Sequence, residues 1–425
     1  MQLLPYLRSV FRVVALVLVL AVLALGCGKK TSGPGSKEVT LTIWKPFADE
    51  ATMSVLFDEY KKLHPNVSFQ YSQRNIETYE DDLLNALASG TGPDIFSINN
   101  TWLPKYLDKV TPATEQEFPY KDYRDSFIDV VVKDFTKDQK VYGTALSVDS
   151  LALYYNKDIL GTLGIVAPPK TWSELEQDVR RIARQDQTGY FARSGVAMGT
   201  SSNVNRAQDI VALLMLQAGT IPWSADGLSP SFASSQGAKG LSFYTSFANP
   251  ADANYNWNQR SDYSIDAFAN GRAAFLYSYT YARDQILAKS PNLNFDVALV
   301  PQENLDNPSV NFANYFGEVV NKQSPNAAVA WDFLNFAVSK DALDKYYANA
   351  KLPSSRRDLI ALQIQDLDIG VFAHANLTAK SFYKPDEAKM NTILNKMIDN
   401  VLLNRLSVNE ALSQAQNEAG TLPKR

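Results

Sequence analysis

The chain has 425 residues, is 45% hydrophobic and 11% aromatic, and carries a formal net charge of −4. Its size suits about two domains, and the near-neutral charge offers no basic face for nucleic acid. One cysteine, Cys27, allows no intrachain disulfide, and two histidines, His64 and His374, stand outside any spaced cluster, which argues against a histidine-rich zinc site or a Ser-His-Asp triad.

A short basic start with Arg8 and Arg12 leads into an apolar run from Val13 to Leu25, then Gly26 and Cys27. That run is shorter than the roughly 20 apolar residues of a membrane span and has the layout of a secretion signal. Ala24-Leu25-Gly26-Cys27 resembles a bacterial lipobox, with Ala where Leu is preferred. Residues 1–26 are therefore expected to be a lipoprotein signal peptide, with the Cys27 thiol as lipid attachment point. A plain signal peptide or an N-terminal membrane anchor is the competing reading. Each of them puts the remainder outside the cytoplasm, in the cell envelope. Residues 27–38, rich in Gly, Ser and Lys, form an expected flexible tether.

The folded part opens with the alternating strand pattern Val39-Thr40-Leu41-Thr42-Ile43-Trp44. A helix follows from Glu50 to Leu63, with Met53, Leu56, Phe57, Tyr60 and Leu63 at helical spacing, and His64-Pro65-Asn66 stops it. Val67 to Tyr71 is a second strand, Thr78 to Ser89 a second helix, and Asp94 to Ile98 a third strand. This rhythm predicts βαβ units in a largely parallel sheet, which binds ligands beyond the carboxyl ends of its strands. Further strands are expected at Leu151–Tyr155, Ala273–Tyr279, Phe295–Val300 and ending at Glu318-Val319-Val320. Thr171/Glu174 and Ser407/Glu410 have capping-box spacing ahead of helices. Gln208–Gln217 reads as an apolar helix, and Ser324-Pro325 reads as the start of a helix through Phe336. The stripe Met390, Ile393, Leu394, Met397, Ile398 and Val401 reads as core packing in a helical C-terminal region.

Several stretches, in this order, resemble the family 1 extracellular solute-binding proteins of ABC importers, the maltose-binding-protein-like group in its lipoprotein form. They are Gly90-Thr91-Gly92-Pro93-Asp94-Ile95, Tyr142-Gly143 with Leu153-Tyr154-Tyr155-Asn156-Lys157-Asp158, Pro168-Pro169-Lys170-Thr171-Trp172-Ser173-Glu174-Leu175, Phe268-Ala269-Asn270-Gly271-Arg272-Ala273-Ala274-Phe275 and Leu352-Pro353-Ser354-Ser355-Arg356. Phe275 stands where that family usually has Met. The resemblance implies an α/β, two-lobe type II periplasmic-binding-protein fold with discontinuous lobes and an interlobe cleft. It divides the chain into an N-terminal lobe of residues 39–148 plus 299–338 and a C-terminal lobe of 149–298 plus 339–425. It also implies a monomer that passes its ligand to ABC transporter permease subunits, with no cofactor, no metal and no catalysis.

A sugar has hydroxyls around its edge and C–H faces above and below, so its capture needs flat aromatic platforms and planar polar groups. Candidates are aromatics and amides near strand ends. Trp44 and Lys45 follow the first strand, and Asn99, Asn100 and Trp102 follow the third. Tyr279 and Tyr281 follow a later strand, and resembling proteins put a stacking aromatic near Tyr281. Trp223 and Trp257 lie in polar loops. Tyr315 precedes Gly317, where the backbone could approach a ligand closely, and Tyr383 precedes the terminal helices. Asp149 lies at the first crossover, where resembling proteins often place an acid on a ligand hydroxyl. Each has a plainer reading: core packing for the aromatics, Asx-turn and cap chemistry for the amides, a hinge hydrogen bond for Asp149. A secreted carbohydrate-active hydrolase and an adhesin-type lipoprotein are the competing functions. The first needs paired carboxylates across a scissile bond, and no compact pair stands in a recognisable setting.

Overall fold

The computed structural model describes residues 37–224 and 227–423. The signal segment 1–26, Cys27 and the tether up to residue 36 lie outside the described residues. The strand Val39–Lys45 runs between Val67–Gln73 and Ile95–Asn99, parallel to both. It buries Leu41, Ile43 and Lys45 and leaves the alternate residues half-buried or exposed, the period-two pattern of a covered sheet. Phe316–Val320 pairs antiparallel with Ile95–Asn99, and Gly143–Thr144 completes this five-stranded sheet. The helix Glu50–Leu63 covers one face with Met53, Leu56, Phe57 and Tyr60. Asp49 caps it, accepting from the Thr52 amide at 2.8 Å, a contact worth about 1 kcal/mol.

The second sheet is mixed. Ala152–Asn156 lies antiparallel to both Phe295–Ala298 and Ala273–Ser278, and Phe191–Val196 runs parallel to Ala273–Ser278. Both expected capping boxes are present, at Thr171/Glu174 and Ser407/Glu410. The helix Glu387–Leu402 sinks Met390, Ile393, Leu394, Met397 and Ile398 into the second core. Ser324 departs from expectation. The helix starts at Ala327 with Asn326 at the cap position, because the Ser324 hydroxyl is drawn to the Asp94 carboxylate at 2.5 Å.

Three segments cross between the lobes side by side. Val148 belongs to the first core and Leu151 to the second; Phe312 belongs to the second and Ala313 to the first; Ala379 belongs to the first and Phe382 to the second. Backbone bonds join them: Leu151 N–H to Phe312 O at 3.0 Å, Asn314 N–H to Asp149 O at 3.0 Å, and Ala313 N–H to Lys380 O at 3.0 Å. Asn376 ties the same place, donating to Val148 O at 2.8 Å and accepting from the Ser150 hydroxyl at 2.6 Å.

Two expected boundaries shift. The chain was expected to return to the first lobe at residue 299, yet Val300 and Phe312 stay in the second core. It was expected to leave again at 339, yet the helix Lys340–Ala350 packs Ala342, Leu343, Tyr346 and Tyr347 into the first core against the Glu50–Leu63 helix. Leu359 and Ile360 follow it there. Helical periodicity marks an apolar face but not the lobe that face will meet.

Gly317 also has a different reason from the one its sequence suggests. A Cβ there would sit 2.3 Å from Phe135 Cζ and 2.8 Å from Thr144 O, so the glycine makes room for a core ring. Gly317→Ala is expected to lower stability by about 1–3 kcal/mol, measured by urea unfolding. An unchanged midpoint would contradict this packing.

Candidate functional site

A cavity of about 1200 Å³ lies between the lobes, bordered by the crossover residues Asp149 and Asn314. On the first-lobe side it meets Lys45, Ser97 and Glu318. Lys45 and Glu318 form a buried ion pair, and the Ser97 hydroxyl donates to Glu318 Oε1 at 3.3 Å. Burial pulls the Lys45 amine down, to about 7, while the adjoining carboxylate acts in the opposite direction. Beside this pair stand three rings. Phe316 meets Phe47 edge-on at 5.4 Å and Trp102 edge-on at 5.8 Å. Phe47 is 53% exposed, so it presents its ring to the cavity rather than to the core.

On the second-lobe side the cavity meets Arg206, Tyr279, Thr280 and Tyr281. Tyr281 starts the helix Tyr281–Lys289, is 40% exposed and stacks on Tyr279 at 6.2 Å. Its hydroxyl accepts from Asn205 Nδ2 at 2.6 Å. Behind these rings Asp209 is fully buried and takes three donors: Arg206 Nε at 2.6 Å, Lys384 Nζ at 2.9 Å and the Tyr279 hydroxyl at 2.9 Å. Burial alone would push the Asp209 carboxyl up, but Arg206 and Lys384 outweigh it and hold the group at about 2. Asp149, between the lobes, accepts from the Thr280 hydroxyl at 2.6 Å and from the Thr280 amide at 3.2 Å. Burial dominates there, and raises its carboxyl to about 7.

Of the residues proposed from sequence, Lys45, Trp102, Asp149, Tyr279, Tyr281 and Tyr315 border the cavity. The others are placed elsewhere. Trp44 points to the opposite sheet face from Lys45 and lies under the Arg74 guanidinium, 3.5 Å from its ring centre. Asn99 is engaged in the turn after its strand, accepting from the Thr101 amide at 3.1 Å and donating to Asn314 at 2.9 Å. Asn100 donates to Asp134 at 2.9 Å, as does the Tyr315 hydroxyl. Trp257 is fully buried, with its indole N–H on Asn203 at 3.0 Å. Trp223 donates to Tyr383 O at 2.8 Å and packs edge-on against the Tyr383 ring, away from the cavity. Sequence reasoning missed Glu318, Arg206 and Phe316, and it reached Phe47 only as a neighbour of Trp44. Glu318 had a readable signal: an acid inside the apolar strand Phe316–Val320 is costly unless it is partnered or used. Among the described residues no group of three or more His, Cys, Asp and Glu side chains is placed to hold a metal ion, and no helix is long and apolar enough to cross a membrane.

Two α/β lobes, each completed by chain from elsewhere in the sequence and facing each other across a cavity, define the two-lobe fold of periplasmic binding proteins. Solved structures share it. An ABC transporter solute-binding protein from Thermotoga lettingae, bound with alpha-D-tagatose, superposes with a TM-score of 0.70 at 23% identity, over 91% of this chain and 99% of that one. The sugar-binding protein MalE from Xanthomonas citri superposes with a TM-score of 0.76 at 20% identity, over 90% and 96%. The family model for bacterial extracellular solute-binding proteins matches residues 56–364, and the chain belongs to that family. Among curated relatives, a binding protein of Brucella abortus (strain 2308) is 24% identical over 307 residues, 69% of this chain and 71% of its own length. The arabinooligosaccharide-binding protein of Bacillus subtilis (strain 168) is 24% identical over 233 residues, 45% of this chain and 51% of its own length.

The Asp149 carboxyl gives a pH dependence of definite sign. The folded state keeps a proton that the unfolded chain releases above about 3.9. Its stabilising contribution is present below that value and is lost as pH rises through about 7. Asp134, raised to about 6 by burial, acts in the same direction. Differential scanning calorimetry of the ligand-free protein is expected to show a melting temperature that falls between about pH 4 and about pH 7, below the range where the lowered Lys45 amine acts in the opposite direction, with a shallower fall in Asp149→Asn. An identical slope in the variant would contradict the assignment.

Proposed function

We propose that this protein is the solute-capturing subunit of an ABC importer and that it binds a mono- or oligosaccharide in the interlobe cavity. The observation that carries this reading is the pairing of walls. Phe47, Trp102 and Phe316 on one side and Tyr279 and Tyr281 on the other offer ring faces and edges to the C–H surfaces of a sugar. Lys45, Asp149, Arg206 and Glu318 lie among them and suit its hydroxyls. Related proteins support the same class of ligand, including binders of arabinooligosaccharides and galactooligosaccharides and the fold neighbour bound with tagatose. The acids at or just behind the cavity wall are engaged in ion pairs or hydrogen bonds: Glu318 with Lys45, Asp209 with Arg206 and Lys384, Asp149 with Thr280. Glu318 and Asp209 are thus tied up in ion pairs, which favours binding over hydrolysis, a reaction that needs two acids set across the scissile bond.

We further infer that the two lobes hinge at the three crossing segments, near residues 148–151, 312–314 and 378–382, and that a bound solute favours the closed form. The closed form is what a membrane permease recognises. The lipid on Cys27 keeps the protein at the outer side of the cytoplasmic membrane or in the periplasm, where it acts as a monomer.

A thermal-shift screen of the purified protein against D-tagatose, maltotetraose, mannobiose and arabino- and galacto-oligosaccharides tests the reading. At least one sugar is expected to raise the melting temperature in a concentration-dependent way. Tyr281→Ala is expected to weaken that sugar by about tenfold while the ligand-free melting temperature stays close to wild type. No shift with any sugar, or a large loss of ligand-free stability in the variant, would count against it.

A further inference from the structure

The first-lobe sheet carries a line of polar side chains through an apolar layer. Ile43 pairs with Ile95 and Trp44 with Phe96, which brings Lys45 beside Ser97, and Ser97 pairs with Glu318. Their same-face neighbours Ile43, Ile95 and Val320 are all buried. Polar groups in such a layer are costly unless each is satisfied. Glu318 Oε1 is satisfied by Lys45 and Ser97. Glu318 Oε2 is buried and has no hydrogen-bond partner among the described residues. Glu318 is only 2% exposed, and it borders the cavity together with Lys45 and Ser97.

The donor that Oε2 lacks can therefore come from the cavity. An anionic ligand end would meet a carboxylate there. A cationic end would compete with Lys45, which already neutralises that charge. A hydroxyl meets neither objection, because it donates one proton and leaves the ion pair intact. Phe316 lies two residues back on the same strand, hence on the same face, and also borders the cavity. A ring and an acceptor so placed match a C–H face and an adjoining hydroxyl of one saccharide unit.

We propose that Glu318 is a specificity-determining residue: its Oε2 accepts a hydroxyl of the bound sugar, while Lys45 and Ser97 fix the carboxylate through Oε1. This rests on the sugar-binding reading above and adds the group that selects the sugar.

Calorimetric titration of the wild-type protein with D-tagatose, mannobiose and maltotetraose, and with monodeoxy analogues of the sugar that binds, tests it. One deoxy position is expected to cost wild type about tenfold to a hundredfold in affinity. Glu318→Gln is expected to weaken the parent sugar and to erase most of the penalty at that position. Glu318→Gln leaves Lys45 buried without its partner, so a second variant, Lys45→Met/Glu318→Leu, replaces the pair by apolar side chains and keeps a folded protein available. It is expected to lose the same discrimination. A sugar that binds wild type and both variants with the same deoxy penalties would overturn the proposal and leave sugar binding standing, with Oε2 satisfied by water. If no sugar of this set or of the thermal-shift screen binds wild type, this proposal and the reading beneath it both fall.

Discussion

The three crossing segments are the constraint on which the rest of the structure depends. Val148–Leu151, Phe312–Asn314 and Thr378–Phe382 meet side by side, and their backbone groups satisfy one another across the crossing. Each lobe has its own sheet and its own buried core. The proposed hinge motion therefore needs only small dihedral changes at the crossing and opens neither core. The cavity lies at that crossing, and Asp149 and Asn314 belong to both. A solute held there would meet residues of the proposed hinge.

Two carboxylates behind the cavity wall are held by clusters of partners. Asp209 gathers Arg206, Lys384 and Tyr279, and Lys384 is itself held by Asn391 at 2.8 Å. Asp134 gathers Asn100, Tyr315 and Ser381. Burying such charges is expensive, and a net gain in stability is not their main consequence. They fix rings and donors in position, which would reduce the ordering cost of the proposed binding. Tyr279 illustrates this: its buried hydroxyl is committed to Asp209, so its ring cannot swing away from Tyr281 without giving up that hydrogen bond.

Much of the fold was legible. The alternation in Val39–Lys45, the stripes of Glu50–Leu63 and Glu387–Leu402 and both capping boxes are local patterns, and local patterns survive in the structure. The lobe assignment of Lys340–Ala350 was not local, since it depends on which of two apolar surfaces receives Leu343 and Tyr346. The site was legible only in part for a related reason. Trp44 and Lys45 are adjacent in sequence but face opposite sides of the sheet, and the cavity received the lysine. Trp257 sits in a polar stretch, yet its indole closes the second core against Asn203. Glu318 carries no aromatic or amide signature of a sugar site, although a lone acid in an apolar strand is the stronger physical anomaly.

Small-angle scattering of the purified protein, alone and saturated with a sugar that stabilises it, tests most directly whether the lobes shut on a solute between them. The account predicts a smaller radius of gyration in the saturated protein. Superimposable curves at full saturation would contradict it, because they would place the solute in a protein whose lobes do not move.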